Sequence, residues 1–181
     1  LRTLEDAVRL KSVLRESRRI AVIGGGFIGL EVAAAARAMA CEVFLFEMTD
    51  RILSRGMPAI LSRWAEKLHR LNGVQLEFGS KIASIHHQDD GSLRLRWNAF
   101  ADVDAVVVGI GVQPNTQLAS DAGLDVDDGI VVDDRCQTSD PAIFAAGEVT
   151  SHPVLGGAFR QRLESWKVAS GQSLVAAKSM A

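Results

Sequence analysis

Cysteine is scarce in this chain: Cys41 and Cys136 stand far apart, and neither belongs to a CxxC pair. That excludes a disulfide scaffold and a dithiol redox motif within these residues, and fits two structural thiols in a reducing, cytoplasmic setting. Histidine is equally sparse. His69, His86, His87 and His152 show no metal-ligand spacing, so no metal site is expected. Charge of neither sign dominates: 20 Lys and Arg face 22 Asp and Glu, for a net charge of −2. Such a balance offers no electrostatic footprint for nucleic acid. No apolar run approaches the roughly 20 residues that span a bilayer, so no membrane association is expected. A charged-then-apolar signal pattern is lacking at the N-terminus, as are internal repeats and low-complexity tracts. The chain begins with Leu1 rather than Met and reads as a piece of a longer or processed protein. Its 181 residues suffice for one full domain and part of a second.

What is present is an alternation of short apolar runs and helical patterns. Thr3-Leu4-Glu5-Asp6 reads as a capping box that opens a helix carrying Leu4, Val8, Leu10 and Leu14. Ile20 to Ile23 is a strand of the kind buried on both faces, broken by Gly24-Gly25-Gly26. A helix over Phe27 to Ala40 and a strand over Glu42 to Glu47 follow. Pro58 suits a first helical turn, and Ile60, Leu61, Trp64, Leu68 and Leu71 form one apolar face up to Asn72-Gly73. Val74 to Phe78 alternates as a strand. Lys81 to His87 and Ser92 to Trp97 predict an antiparallel hairpin about Asp89-Asp90-Gly91. Ala105 to Val108 is a further buried strand, ending at Gly109-Ile110-Gly111. Beyond Pro114-Asn115 the pattern predicts short strands at Ile130–Val132 and Ile143–Ala146 and a final helix from about Gln161 to Met180. The fold class is α/β: a Rossmann-type parallel sheet with helices on both faces and an antiparallel hairpin, plus an incomplete piece of a second domain.

One motif carries chemistry. Gly24-x-Gly26-x-x-Gly29 follows a strand and opens a helix, which is the context a dinucleotide fingerprint needs. Gly24 permits the tight turn, Gly26 lets a pyrophosphate reach the backbone, and Gly29 lets the helix pack on the sheet. The free N–H groups at the helix start then face the phosphates. Glu47 lies 18 residues after Gly29, where a carboxylate accepts the adenosine ribose hydroxyls and repels a 2′-phosphate. NAD(H) is therefore expected over NADP(H). Arg51 and Arg55 follow closely, and an arginine there can receive the extra phosphate; Arg55 is counted among the cofactor-binding candidates. Ile110 and Gly111 lie at the carboxyl edge of the sheet, where open α/β folds bind ligands, although spacing alone equally allows a plain turn.

Four stretches in order now resemble a known family: Gly-Gly-Gly-Phe-Ile-Gly-Leu-Glu (24–31), Val-Val-Val-Gly-Ile-Gly-Val-Gln-Pro-Asn (106–115), Ile-Phe-Ala-Ala-Gly-Glu-Val (143–149) and Arg162-x-Glu164-Ser165-Trp166. They are similar to the FAD-dependent pyridine nucleotide oxidoreductases, and most to NADH-dependent ferredoxin, rubredoxin and putidaredoxin reductases. The resemblance implies an NAD(H) domain over 1–116 and the returning C-terminal part of an FAD domain over 117–181. The first FAD half and the interface domain would lie elsewhere. It further implies that Gly24, Gly26, Phe27, Ile28 and Gly29 line the pyrophosphate and nicotinamide side. Glu31 and Ile110-Gly111 would face the nicotinamide, Glu47 the ribose, and Trp166 the flavin and nicotinamide. Read without the resemblance, Trp166 is a core aromatic on an amphipathic helix. Glu148 stands where the family carries aspartate against the flavin ribityl chain. One methylene longer, its carboxylate sits elsewhere, and FAD is expected in the complete enzyme rather than in this chain.

The implied reaction is hydride transfer from NADH to FAD, then electron transfer to an iron–sulfur protein, with no side chain acting as acid or base. Two other readings stand beside it: a truncated nucleotide-binding module without turnover, and a relative of the NADH oxidases or disulfide reductases. The apolar positions Leu163, Trp166, Leu174 and Val175 would lack their usual partners, which predicts a homo-oligomer or a mobile C-terminal segment.

Overall fold

A computed structural model describes residues 1–154 and 159–181. The chain divides into two compact units, Leu1–Gly111 and Val112–Ala181.

The first unit opens with helix α1 (Leu4–Glu16), whose capping box is formed: the Thr3 hydroxyl accepts from Asp6 N, and the Asp6 carboxylate accepts from Thr3 N. Strand β1 (Arg19–Ile23), helix α2 (Phe27–Ala38), strand β2 (Glu42–Glu47), helix α3 (Ala59–Leu71) and strand β3 (Val74–Phe78) follow. Strands β4 (Ser84–His87), β5 (Leu93–Arg96) and β6 (Phe100–Val103) make a three-stranded antiparallel sheet, and β7 (Ala105–Val108) returns to the first sheet. Its order is β3-β2-β1-β7, all parallel. The chain thus builds outward from β1 on one side and then places β7 on the other, so order reverses at β1. That reversal opens a crevice at the carboxyl ends of β1 and β7.

Period-two alternation sorts the side chains. Ile20, Val22, Val43, Leu45, Val74 and Leu76 face the helices, packing with Leu14 of α1 and Leu30, Val32, Ala33 and Ala36 of α2. Ala21 and Phe46 face the antiparallel sheet and meet Leu95 and Val103. All three helices lie on one face; the second face is closed by the antiparallel sheet. A third strand, β6, turns the expected hairpin into a meander, and Trp97 sets its ring edge-on to Phe46 at 4.7 Å between centroids. Phe46 is 1% exposed, and burial of such a ring contributes roughly 1.5–3 kcal/mol.

Helix α3 reverses the expected packing. Its apolar face (Ile60, Leu61, Trp64, Leu68, Leu71) is exposed, while Ser62 is buried and Ala65 packs on the helix-side core. The inward surface is held by polar bonds. Arg51 Nη1 donates to Ser62 Oγ, and Arg70 donates to Leu76 O with its guanidinium over the Phe78 ring.

The second unit contains α4 (Gln117–Asp121), β8 (Ile130–Val131), β9 (Thr150–Pro153), β10 (Arg160–Gln161) and α5 (Trp166–Met180). Strand β8 runs parallel to β9, and β10 antiparallel to it. The stretch 143–146, expected as a strand, makes a single bridge from Phe144 to Gln137. The ladder ends because Gly147, at φ +95°, turns the chain into β9. Helix α5 starts at Trp166 rather than Gln161 because Arg160–Gln161 pair with His152–Pro153, and the Arg160 guanidinium donates to Val132 O and Ser151 O. Cys41 and Cys136 are both free and buried, and burial pushes both thiols up from their ordinary pKa. No helix among the described residues is long and apolar enough to cross a membrane.

Candidate dinucleotide site

The crevice mouth is formed by the β1–α2 turn, and its glycines do different work. At Gly29 an added Cβ would stand 2.0 Å from Gly24 O, and at Gly24, with φ +108°, 2.3 Å from Gly109 O. These are backbone-to-backbone approaches that admit no side chain. At Gly25 a Cβ would press on Ile52 at 2.8 Å and on the Glu47 carboxylate at 3.0 Å. Gly26 is the exception. It caps α2 in extended conformation with no side-chain hydrogen bond, and a Cβ there would meet nothing within 4 Å. The fold does not demand glycine at 26. The open volume over it, beside the free N–H groups of the first α2 turn, suits an anionic group brought close to backbone.

Glu47 ends β2 directly behind this turn. One carboxylate oxygen accepts from Gly25 N at 2.7 Å; the other accepts from Thr49 N at 2.8 Å and Thr49 Oγ1 at 2.9 Å. Partial burial acts to raise its pKa, but donation from the Thr49 and Gly25 amides and the Thr49 hydroxyl outweighs it, with Arg55 adding attraction. The carboxyl is held below its ordinary value. Depression of this kind gives stability that is present above the unfolded carboxyl pKa and lost as pH falls through the folded one. The carboxylate therefore already orders the glycine turn, beyond the ribose contact expected from its position. Thr49, two residues past the acidic strand end, is the member that sequence reasoning passed over.

The two arginines separate. Arg51 is spent on the 48–58 loop and α3, donating to Met57 O and Ser54 O in the loop and to Ser62 Oγ in the helix. It is not free to receive a 2′-phosphate. Arg55 is exposed, and its Nη1 lies within 3.8 Å of where a Gly111 Cβ would stand. The loop is latched to the turn by Leu53 N donating to Gly25 O at 2.8 Å.

Around the mouth Phe27, Ile28 and Ile110 are exposed apolar groups, and Glu31 is exposed one turn into α2. Gly24, Gly26, Phe27, Ile28, Gly29, Glu31, Glu47, Arg55, Ile110 and Gly111 all belong to the first unit. Glu148 and Trp166 belong to the second. Glu148 is exposed in the turn before β9, and Trp166, 74% exposed, begins α5. A core role for Trp166 is thereby excluded within the described residues. Arg162 of the same motif is a structural cation, paired with Asp128 at 3.2 Å and Glu164 at 3.0 Å.

Comparison with known proteins agrees with this geometry. Residues 1–173 match the family model for pyridine nucleotide-disulphide oxidoreductases. The ferredoxin–NAD(+) reductase component of an anthranilate 1,2-dioxygenase system from Burkholderia cepacia is 48% identical, over 99% of this chain and 45% of its own length. The corresponding component of a p-cumate 2,3-dioxygenase system from Pseudomonas putida is 44% identical, over 99% and 44%. Among solved structures, the ferredoxin reductase for the CYP199A2 system of Rhodopseudomonas palustris superposes with a TM-score of 0.90 at 34% identity, covering all of this chain and 46% of that one. The chain thus spans less than half the length of the relatives it matches. With a Rossmann-type sheet, a glycine turn at its order reversal and a family match over nearly every residue, this chain belongs to the pyridine nucleotide-disulphide oxidoreductase family.

Proposed function

We propose that this chain is the NADH-binding module of a flavin-dependent reductase that passes electrons to an iron–sulfur protein of the ferredoxin type. The observation that carries this reading is the open position over Gly26, set between the Glu47 carboxylate and the start of α2. With NADH and FAD bound, the chemistry supplied is hydride transfer followed by single-electron transfer. The residues of this chain bind and orient. Backbone N–H groups at 26–29 take the pyrophosphate, and Glu47 takes the adenosine ribose. Phe27, Ile28 and Ile110 keep water from the nicotinamide. No proton is moved by a side chain.

Preference for NADH rests on Glu47 and on the engagement of Arg51 within its own loop. Glu47→Ala weakens NADH binding by about tenfold, as expected for loss of a charge-assisted contact. It also narrows the NADH-to-NADPH ratio. Calorimetry with both nucleotides checks this, and an unaltered ratio would remove Glu47 from the ribose contact.

For the flavin, this chain offers Glu148 on an ordered turn and the exposed indole of Trp166. The sequence carries one dinucleotide fingerprint, the one at Gly24. The 181-residue chain is therefore expected to bind NADH yet to elute from gel filtration colourless. Leu174 and Met180 leave apolar surface exposed on α5, so that peak is expected at the mass of an assembly of this chain rather than of one copy. Absorbance at flavin wavelengths with inline light scattering tests both points. A yellow peak would overturn the first and a monomer mass the second.

A further inference from the structure

Gln172 lies at the middle of α5, half-buried, on the side that carries Ala169 and Ala176. That side is otherwise apolar, with Val168 beside the two alanines, and a glutamine there needs a reason. Its side-chain carbonyl accepts two hydrogen bonds from one turn: from Gly147 N at 2.7 Å and from Thr150 Oγ1 at 2.9 Å. Thr150 is fully buried, and its single hydroxyl proton is shared between Gln172 Oε1 and Gly147 O, the latter at 2.8 Å. The backbone closes the same turn with Thr150 N donating to Gly147 O at 3.0 Å. Gly147 adopts φ +95° and packs against α5, where an added Cβ would meet Ala169 Cβ at 3.6 Å. The residue enclosed by these bonds is Glu148, which is exposed and accepts no hydrogen bond from the described residues.

We infer that Gln172 is a positioning residue: it fixes the 147–150 turn to α5 and so determines where the Glu148 carboxylate is presented to a polyhydroxylated ligand. The inference rests on the flavin reading above for the identity of that ligand, the ribityl chain of FAD. A carboxylate on a long side chain binds a polyol well only if its backbone is held, because ordering a free turn at binding costs affinity. Gln172 supplies that order in advance. Only its oxygen is used, so a glutamate at 172 can accept both bonds, whereas leucine cannot. The backbone carbonyl of residue 172 also receives the Cys136 thiol at 3.5 Å, a contact independent of the side chain.

The test uses the full 181-residue chain and compares wild type, Gln172→Leu, Gln172→Glu and Glu148→Ala. Amide exchange reads Gly147, and fluorescence quenching reads weak FAD binding, with NADH affinity as the control for folding. Gln172→Leu is expected to speed Gly147 exchange by about tenfold or more, and Gln172→Glu to restore protection. Affinity for FAD should fall about tenfold in Gln172→Leu, recover in Gln172→Glu, and fall no further when Gln172→Leu is added to Glu148→Ala. Unchanged Gly147 exchange in Gln172→Leu, or no recovery in Gln172→Glu, would overturn the positioning role. Lost and recovered protection with FAD affinity unmoved, or with no FAD binding at all, would overturn the flavin as its ligand while leaving the NADH reading of the first unit intact.

Discussion

Gly26→Val is expected to abolish the proposed NADH binding while the protein stays folded. A valine Cβ at this position meets no atom within 4 Å beyond its own chain neighbours, so it enters space that the fold does not use. Its branched methyls stand over the N–H groups at the start of α2, between the backbone and any pyrophosphate. Two charge-assisted hydrogen bonds at about 1.5–3 kcal/mol each are then lost. That corresponds to at least a 100-fold loss of affinity, since each ~1.4 kcal/mol is a factor of ten. The helix itself loses a favourable cap residue, at a cost of about 1 kcal/mol. Calorimetry against NADH and a thermal melt measure the two quantities separately. Retained NADH affinity in a folded Gly26→Val protein would remove the nucleotide from this turn.

Gly29→Ala has the opposite signature. Its single added carbon would stand 2.0 Å from Gly24 O, and the obstacle is backbone in a turn that is latched twice where it leaves β1. Gly24 N donates to Phe46 O at 2.8 Å, and Gly109 N donates to Ile23 O at 2.8 Å. None of these groups can step aside without breaking a sheet hydrogen bond. Overpacking of this kind against backbone costs roughly 3 kcal/mol or more. At a few degrees per kcal/mol, the first unit melts about 10 °C lower. Circular dichroism melts decide it, and a Gly29→Ala protein as stable as wild type would mean that α2 sits further from β1 than described. The two substitutions divide the fingerprint by function. Two residues of identical composition, three apart, fail for different reasons: one by loss of ligand, the other by loss of fold.

Much of the first unit was legible in the sequence because its signals are local. A glycine turn after Ile20–Ile23, a helix rich in alanine and an acidic strand end each declare themselves within a few residues. The structure brings them together at the reversal of strand order. Other features were illegible for stated physical reasons. The exposed stripe of α3 has the periodicity of a buried face, and periodicity does not say which way a face points. On the side of α3 that is buried, Ala65 packs on the core and Ser62 accepts from the guanidinium of Arg51, a charged loop residue. Strand β9 reads Thr-Ser-His-Pro, too polar to announce itself, and is a strand because β8 and β10 flank it. The apolar run at 143–146 looked the better candidate and forms one bridge. Thr49 and Gln172 escaped notice for a common reason. Each holds a neighbouring group in place through hydrogen bonds, and such a role leaves no spacing pattern behind.

Asp104, the single residue between β6 and β7, gives the order of strands a consequence in time. Its carboxylate accepts from Arg18 N at 2.6 Å and Arg19 N at 2.8 Å, groups 86 and 85 residues earlier in the chain. As synthesis proceeds from the N-terminus, β1, β2 and β3 can pair as soon as they exist. Strand β1 nevertheless keeps one backbone edge unpaired until Ala105–Val108 has been made. An open edge of unpaired N–H and C=O groups invites pairing with another chain. The meander lies between the two events and ends one residue short of the strand that closes the edge. Folding β4, β5 and β6 therefore delivers β7 to its place, and the Asp104 carboxylate meets the amides of Arg18 and Arg19 where the waiting strand begins. The last strand of the sheet to be synthesised protects the first.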